Sequence, residues 1–240
     1  MSPLGPLSDQ AQRPEAWTAR SAVAVCAHPD DESFGLGGVL MALRREGTEV
    51  SLLSFTHGEA STLGAGDGPL DAIRAEELHQ AASVLGARRT DLLAYPDSRL
   101  STVPLEVLAG HVEALATEVG ADTLLTFDLG GITGHPDHQR ATEAALQAGE
   151  QLGLPVLGWA LAAGVAAALR AETGVEMVGR VPSELDIELT VDREAQQRAI
   201  SCHRSQLGGN TVLRRRLELQ GATEHLRWLR RPGALSVAPA

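Results

Sequence analysis

Short apolar segments alternate with amphipathic segments along most of the chain. Residues 21–27 (SAVAVCA) are small and β-branched, as is typical of a strand buried in a parallel sheet. Residues 34–46 carry apolar side chains at helical intervals. This alternation predicts a doubly wound α/β fold, with a mostly parallel sheet and helices on both faces. The predicted strands are 21–27, 49–55, 90–94, 122–127 and 155–161, and the predicted helices are 34–46, 70–86, 104–119 and 137–152.

The pattern is less regular beyond residue 152. Residues 152–168 are the most apolar stretch, yet three glycines and a proline interrupt them. This predicts a buried strand followed by a short helix, and not a membrane anchor. Residues 175–181 and 185–191 predict a further pair of strands. Residues 192–207 predict a helix that returns the HRSQ string at its end toward the core.

Length and composition favour one domain. The chain has 240 residues, 43% of them hydrophobic, which is enough for one substantial α/β core. Residues 1–20 and 232–240 are weakly patterned, so we expect flexible ends around a domain at residues 21–231. No segment has the pattern of a secretory signal or of a membrane span. We therefore expect a soluble, cytoplasmic protein without membrane attachment.

Two polar clusters follow apolar segments, the first directly and the second after a glycine-rich loop at residues 128–134. HPDDE occupies residues 28–32 and HPDH occupies residues 135–138. Each precedes a predicted helix, so each lies in a turn at the carboxyl end of a strand, where open parallel sheets bind ligands. The glycine-rich loop at residues 58–69 follows the second strand and is expected to border the same rim. Together the two clusters predict one shared site.

These residue types are the ones that a mononuclear zinc site uses. Catalytic zinc sites hold three protein ligands and leave one position open for water. His28, Asp31 and His138 supply such a set. Asp30 is then free to accept a proton from water, and His135 to stabilise an oxyanion or protonate a leaving group. Iron, cobalt or manganese could replace zinc at the same ligands.

A purely structural role is the alternative for each cluster. Asp30 and Asp31 could cap the following helix, and the histidines could be ordinary surface residues. Because both clusters would have to resemble a metal site by chance, we favour the metal site over two separate structural roles. Glu32 is interpreted as a capping or bracing residue, because a fourth protein ligand would close the position that catalysis requires.

The strings AHPDDE at residues 27–32 and GHPDH at residues 134–138 resemble the paired motifs of the PIG-L/LmbE-type zinc N-deacetylases. The resemblance covers roughly residues 21–207. It implies a Rossmann-like single domain that uses zinc to remove an acetyl group from a small-molecule amino sugar of the N-acetylglucosamine type. Small homo-oligomers occur among such proteins, so a homo-oligomer agrees with the resemblance. Four shorter strings support it: THGEAS at 56–61, RAEEL at 74–78, YPDSRL at 95–100 and HRSQ at 203–206.

The resemblance also implies a role for individual residues. It makes the same three residues the metal ligands and Asp30 the general base, in agreement with the interpretation above. It implies that His135 is the oxyanion-stabilising or acid group and that Asp137 is its orienting partner. Arg74 and Asp97 match positions that contact the sugar in relatives.

The exact reaction stays open among related alternatives. Thr133 stands where thiol-pathway sugar deacetylases often carry a tyrosine, whereas branches that resemble glycolipid deacetylases have a small hydroxyl residue there. A zinc amidase of another substrate, such as a thiol conjugate, is one alternative. A metal-dependent phosphoesterase is another, although such enzymes often bind two metals. A nucleotide-binding module is disfavoured because GLGG at residues 35–38 lacks the G-x-G-x-x-G spacing.

Charge and residue content exclude several classes. The formal net charge of −11 disfavours a nucleic-acid partner, because binding a phosphate backbone requires clustered basic residues. The arginine run at residues 214–216 is interpreted as a basic helix face, with contact to an anionic substrate group or a neighbouring subunit as the alternative. The chain contains no lysine, which excludes Schiff-base chemistry and a P-loop lysine.

Overall fold

The computed structural model describes residues 17–63 and 68–233. Most of the ends that were expected to be flexible, residues 1–16 and 234–240, lie outside these ranges. Within them, the ring of Trp17 packs edge-on against that of Trp228, with the ring centroids 6.0 Å apart. The chain therefore joins the core several residues before the first strand begins.

Eight strands form one mixed sheet in the described part of the chain. They are β1 (Ser21–Cys26), β2 (Glu49–Thr56), β3 (Arg89–Tyr95), β4 (Thr123–Phe127), β5 (Val156–Ala162), β6 (Gly179–Arg180), β7 (Ile187–Thr190) and β8 (Thr223–Arg230). The main order is β3-β2-β1-β4-β5-β8-β7, and the first five of these strands are parallel. Strand β8 runs antiparallel to both β5 and β7. The prediction of a doubly wound, mostly parallel sheet is confirmed, with an antiparallel extension at one side.

Ten helices surround the sheet within the same residues. They are α1 (Asp31–Phe34), α2 (Gly37–Arg45), α3 (Leu70–Leu85), α4 (Leu105–Val119), α5 (Gly131–Gly134), α6 (Pro136–Leu152), α7 (Ala163–Thr173), α8 (Arg193–Ile200), α9 (Arg204–Leu207) and α10 (Thr211–Gln220). Two short 3-10 helices lie at Leu100–Thr102 and Pro182–Glu184. None of these helices is long and apolar enough to cross a bilayer.

The apolar core lies on both faces of the sheet. Along β1, Ala22 and Ala24 belong to the cluster that contains the apolar side chains of α2. The intervening Val23 and Val25 belong to the cluster that contains those of α4 and α6. Because successive side chains of a strand point to opposite faces, both faces of β1 are covered, which explains its continuous apolar sequence.

Three predicted elements differ from the structure. The helix predicted at 34–46 begins only at Gly37, as α2, because the chain turns at Gly35 after a separate short helix, α1. A Cβ atom at Gly35 would lie 2.4 Å from the ring of Phe127, so this turn depends on close backbone approach. The strand predicted at 175–181 shortens to β6, which pairs with β5 and not with β7. The helix predicted at 192–207 is interrupted between α8 and α9.

The strand order creates a crevice at one edge of the sheet. From β1 the chain continues to β2 and β3 on one side, and it later returns to place β4 on the other side of β1. Such a switch point leaves space beyond the carboxyl ends of the two central strands. Both polar clusters of the sequence follow these two strands.

Candidate active site

The two polar clusters meet beyond β1 and β4. Ligand-type atoms of His28, Asp31 and His138 all lie within 4.8 Å of one another. These strands pair in parallel register, with Ala24 opposite Leu125, so their carboxyl ends emerge side by side. The structure thus brings together the three residues predicted as metal ligands.

His28 is oriented by two carboxylates. Its Nε2 atom lies 3.0 Å from an oxygen of Asp97 and 3.4 Å from an oxygen of Asp137. Its Nδ1 atom faces Asp31 at 3.8 Å. Burial alone would lower the pKa of His28, but the hydrogen bonds to Asp137 and Asp97 outweigh it and raise this pKa to about 10.

His138 has a similar arrangement. Its Nδ1 atom lies 3.0 Å from the carbonyl oxygen of Gly131, and its Nε2 atom faces an oxygen of Asp31 at 3.1 Å. Histidines that bind metals generally donate their second ring N–H to a carboxylate or a carbonyl group. Both histidines therefore direct one nitrogen to a protein acceptor and the other toward Asp31. This donor set fits a divalent cation.

Asp31 is held in its ionised form. One of its carboxylate oxygens accepts the backbone N–H groups of Ala27 and His28, at 2.9 and 3.0 Å. Burial would raise the pKa of Asp31, but the charge and hydrogen bond of His138 and the charge of His28 lower it below its usual range. Metal ligation requires this ionised form.

Asp30 lies beside this cluster in an unusual conformation. Its backbone has φ 120° and ψ −27°, a region that non-glycine residues rarely adopt. Its N–H donates to Glu32 at 2.9 Å, and its carboxylate lies 3.0 Å from a guanidinium nitrogen of Arg74. Burial raises the pKa of Asp30 to about 6, against the opposing charge of Arg74. A carboxyl group with such a pKa suits proton transfer near neutral pH.

Arg74 is 3% exposed and binds the loops around Asp30. Its guanidinium donates to the carbonyl oxygen of Gly58 at 2.6 Å and to that of Pro29. Gly58 has φ +66°, and a Cβ atom there would lie 2.2 Å from the guanidinium, so only glycine fits. Arg74 also lines the cavity described below. Its predicted contact with a sugar stays a prediction.

His135 forms the N-cap of α6 and is partly exposed. Its Nδ1 atom accepts the backbone N–H of Asp137 at 3.2 Å. Burial lowers the pKa of His135, and the neighbouring His138 and His28 lower it further. A neutral imidazole that accepts at Nδ1 carries its proton on Nε2, where it can donate to a substrate oxygen.

Asp97 and Asp137 support the loops of the site. Asp137 is fully buried, and its oxygens accept the backbone N–H groups of Ser98 and Leu100 at 2.7 and 3.1 Å. One oxygen of Asp97 accepts the N–H of Ala60 at 2.9 Å. Both carboxylates also contact His28. The predicted roles, orientation of His135 by Asp137 and sugar contact by Asp97, stay predictions.

One cavity of about 480 Å³ contains the cluster. Part of the glycine-rich loop after β2 borders it, as predicted, whereas residues 64–67 of that loop lie outside the described residues. Thr133 lies at its edge. Away from the cluster its walls are largely apolar, and they include Phe34, Phe127, Ile132, Trp159, Met177 and Leu213. A substrate there would have both a polar and an apolar environment.

The HRSQ string contributes supporting contacts that sequence analysis did not assign. His203 is fully buried, and its Nε2 atom lies 2.6 Å from a carboxylate oxygen of Glu32. The other oxygen of Glu32 accepts the Asp30 N–H. Ser205 donates twice to Glu77, at 2.8 and 2.6 Å. The string thus links the end of α8 to the metal-site turn. Its predicted return toward the core and its place among the strings of the resemblance were the signals in the sequence, and neither named these partners.

Comparison with known proteins adds independent findings. A family model described as PIG-L: GlcNAc-PI de-N-acetylase matches residues 23–149. The chain is 28% identical to the 1D-myo-inositol 2-acetamido-2-deoxy-alpha-D-glucopyranoside deacetylase of Rhodococcus erythropolis, over 79% of this chain and 82% of that protein. Deacetylases with the same substrate in their names from Catenulispora acidiphila and Streptomyces avermitilis are 31% and 32% identical to this chain. These two matches span only about half of each relative's length, 49% and 53%.

Solved structures confirm the fold. The N,N'-diacetylchitobiose deacetylase of Pyrococcus horikoshii superposes with a TM-score of 0.65 at 22% identity, over 90% of this chain and 85% of that one. The 4-carboxy-2-hydroxymuconate hydratase of Pseudomonas putida superposes with a TM-score of 0.70 at 16% identity, over 91% of this chain and 100% of that one. The fold alone therefore does not decide the reaction. The match of the family model, which spans both polar clusters, shows that the chain belongs to the PIG-L, or GlcNAc-PI de-N-acetylase, family.

Proposed function

We propose that this protein is a zinc-dependent hydrolase that removes the acetyl group from an N-acetylglucosamine-type sugar or glycoside. One observation carries the proposal: the Asp30 carboxylate lies next to three groups that fit a divalent cation but is not itself one of them. The deacetylases among the relatives support the same reaction class.

The chain supplies a complete ligand set. His28, Asp31 and His138 would hold the cation, and their ring nitrogens and carboxylate are already oriented by neighbouring groups. A divalent cation bound there supplies a Lewis acid, which polarises an amide carbonyl and eases the deprotonation of water. Two nitrogen donors and one carboxylate are typical of catalytic zinc sites with an open position.

Asp30 acts as the general base. Its pKa near 6 leaves it ionised at neutral pH, yet basic enough to take a proton from the attacking water. The ion pair with Arg74 and the N–H bond to Glu32 fix the carboxylate in place. Asp30 can subsequently return this proton to the departing amine.

His135 stabilises the negative charge that forms on the amide oxygen. Its Nε2–H, the donor of a neutral ring, has no hydrogen-bond partner among residues 17–63 and 68–233. The ring centroid lies 4.9 Å from those of both His28 and His138. A fixed donor at the oxygen that becomes negative accelerates acyl transfer. His135 is also the alternative proton donor to the leaving amine. Arg74 and Asp97, which line the same cavity, are the candidate sugar contacts.

The proposal is tested by measuring acetate release and metal content together. Purified protein is incubated with N-acetylglucosamine and with its methyl glycoside, and bound metals are quantified by mass spectrometry. We expect about one zinc ion per chain and release of acetate with one equivalent of free amine. The variant His138→Ala should lose both the metal and the activity.

His79→Ala is the matched control. His79 is exposed on α3, and its one side-chain hydrogen bond among the described residues is to the carbonyl oxygen of Ala75 in its own helix. This variant should keep wild-type metal content and activity. Metal binding without acetate release from either substrate would contradict the deacetylase and direct the search to other amides and phosphoesters. Absence of bound metal after incubation with zinc would contradict the whole site.

A further inference from the structure

The arginine run at residues 214–216 places one cation inside the protein. All three arginines lie on α10. Arg214 is exposed, and Arg215 pairs with Glu172 and Glu218 at 2.6 and 2.9 Å near the surface. Arg216 is different, because it is 4% exposed and lines the same cavity as the metal cluster. The three arginines are adjacent in the sequence, but only Arg216 is buried in the structure.

The guanidinium of Arg216 is not neutralised by an acidic group in the described part of the chain. One of its terminal nitrogens, Nη2, donates to the carbonyl oxygen of Phe34 at 2.5 Å. The other, Nη1, is buried and has no hydrogen-bond partner among the described residues. The central carbon of the guanidinium, Cζ, lies 4.8 Å from the ring centre of Trp159, in a cation–π contact. These contacts hold the group in place without balancing its charge.

Glu224, whose charge acts on Arg216, is committed to other partners. Glu224 is fully buried, and its oxygens bind Arg193, the ring N–H of Trp159 at 2.6 Å and the side-chain amide of Gln220 at 2.8 Å. Burial lowers the pKa of Arg216 to about 10, and Glu224 only partly offsets this effect. The group therefore remains a cation at neutral pH, and a buried cation without a paired anion is costly to maintain.

A continuous aromatic wall joins Arg216 to the metal cluster. The ring centroid of Trp159 lies 5.2 Å from that of Phe127, which in turn lies 4.8 Å from that of His138. All four side chains line the one cavity. Phe34, whose carbonyl binds Arg216, ends the short helix that begins at Asp31. A single small molecule can thus contact the cluster and the guanidinium at the same time.

We propose that Arg216 forms a subsite for an oxyanion, a carboxylate or a phosphate group, carried by the substrate. The inference rests on the proposed function, because it assigns the substrate of the same cavity to the anionic N-acetylated amino sugars. The anion would balance the charge of the Arg216 guanidinium from the cavity that this side chain lines, and it would be repelled by the carboxylates of Asp30 and Asp97 at the other end. A neutral glycoside would leave the buried charge unpaired.

The test compares anionic and neutral substrates of equal core structure. The neutral reference is the methyl glycoside of N-acetylglucosamine. The anionic substrates are N-acetylglucosamine 1-phosphate, the carboxymethyl glycoside of N-acetylglucosamine, and methyl N-succinylglucosaminide, which carries its carboxylate on the acyl group. Wild-type protein should show a kcat/KM about 10- to 100-fold higher for at least one of them than for the reference, the range expected for one hydrogen bond between charged groups. The preferred member identifies the type and position of the anion.

Arg216→Met and Arg216→Gln should reduce this preference to about onefold. Both remove the charge, and methionine retains apolar contact with Trp159, so one of them remains informative if the other fails to fold. Arg215→Met is the matched control, because it removes the neighbouring surface arginine and should leave the preference unchanged. Equal kcat/KM values for all four substrates, or a preference that survives in both Arg216 variants, would overturn the subsite.

A binding measurement separates this inference from the deacetylase itself. Titration calorimetry with glucosamine 1-phosphate and with methyl glucosaminide requires no turnover. The wild type should bind the phosphate at least about tenfold more tightly, and Arg216→Met should not. If no substrate releases acetate but this difference remains, the proposed function fails and the anion subsite stands. If acetate is released without any dependence on charge, the proposed function stands and the subsite fails.

Discussion

Replacement of His203 with alanine should lower the free energy of unfolding by about 3–5 kcal/mol, the cost of removing one partner of a buried ion pair. His203 is 0% exposed and Glu32 is 1% exposed. Their side chains meet at 2.6 Å. Without His203, the Glu32 carboxylate would keep only the hydroxyl of Ser33 and the N–H of Asp30 as partners. The buried charge would then favour the unfolded chain, in which water solvates it.

The difference in the free energy of unfolding between the wild type and His203→Ala should depend on pH. Burial alone would lower the pKa of His203, but the charge of Glu32 raises it above the ordinary value of 6.5, so its contribution is complete below pH 6.5 and is lost as the pH rises through the raised pKa. Burial alone would raise the pKa of Glu32, but the charge of His203 lowers it below 4.5, so its contribution is complete above pH 4.5 and is lost on acidification. The difference should therefore be largest between pH 4.5 and 6.5.

Urea unfolding followed by tryptophan fluorescence measures this effect. His203→Gln retains a donor and should lose less stability than His203→Ala. His79→Ala removes an exposed histidine and should stay within about 0.5 kcal/mol of the wild type. If His203→Ala lost less than about 1 kcal/mol at pH 6, the buried pair would not hold the HRSQ string against the metal-site turn as we describe.

Three further perturbations have defined outcomes. Arg74→Met should lower kcat by up to about 100-fold, since it frees the Asp30 carboxylate, while bound metal stays constant; a loss of metal in this variant would place Arg74 in a different role. Removal of metal with a chelator should lower Tm by about 10 °C, reversed by added zinc, and an unchanged Tm would mean that the native state does not bind the cation. Gly149→Ala should destabilise by about 1–3 kcal/mol in urea unfolding, because its Cβ would lie 2.5 Å from Val156. A Cβ at Gly110 would meet no described side chain or other element within 4 Å, so Gly110→Ala should stabilise by up to about 1 kcal/mol, and equal effects of the two changes would contradict this packing.

The parallel core and the candidate site were predictable because their signals are local. Strand β1 is apolar after Ser21, and only Ala27 separates it from the HPDDE string. A strand, a turn and a helix in succession define where such side chains emerge. The HPDH string follows β4 after a glycine-rich loop that contains α5, and α6 begins within the string. Their convergence followed from the general rule for open parallel sheets.

The remaining features depend on contacts between distant parts of the chain. The break after α1 reflects the ring of Phe127 against Gly35, more than ninety residues away in sequence. Strand β8 was not predicted, because its sequence TEHLRWLR is rich in charged residues, and burial of Glu224 depends on Arg193 from α8. The support of His28 by Asp97 depends likewise on two separate loops meeting. Local periodicity contains no information about such partners.

The kcat of Asp30→Asn, measured together with its metal content, shows whether Asp30 is the general base. Asparagine preserves the size of the side chain but cannot accept the proton of water as a carboxylate does. We expect metal content equal to that of the wild type and a kcat for acetate release from the methyl glycoside of N-acetylglucosamine that is about 10²- to 10⁴-fold lower. A metal-loaded Asp30→Asn variant with wild-type kcat would contradict the assignment of Asp30 as the general base.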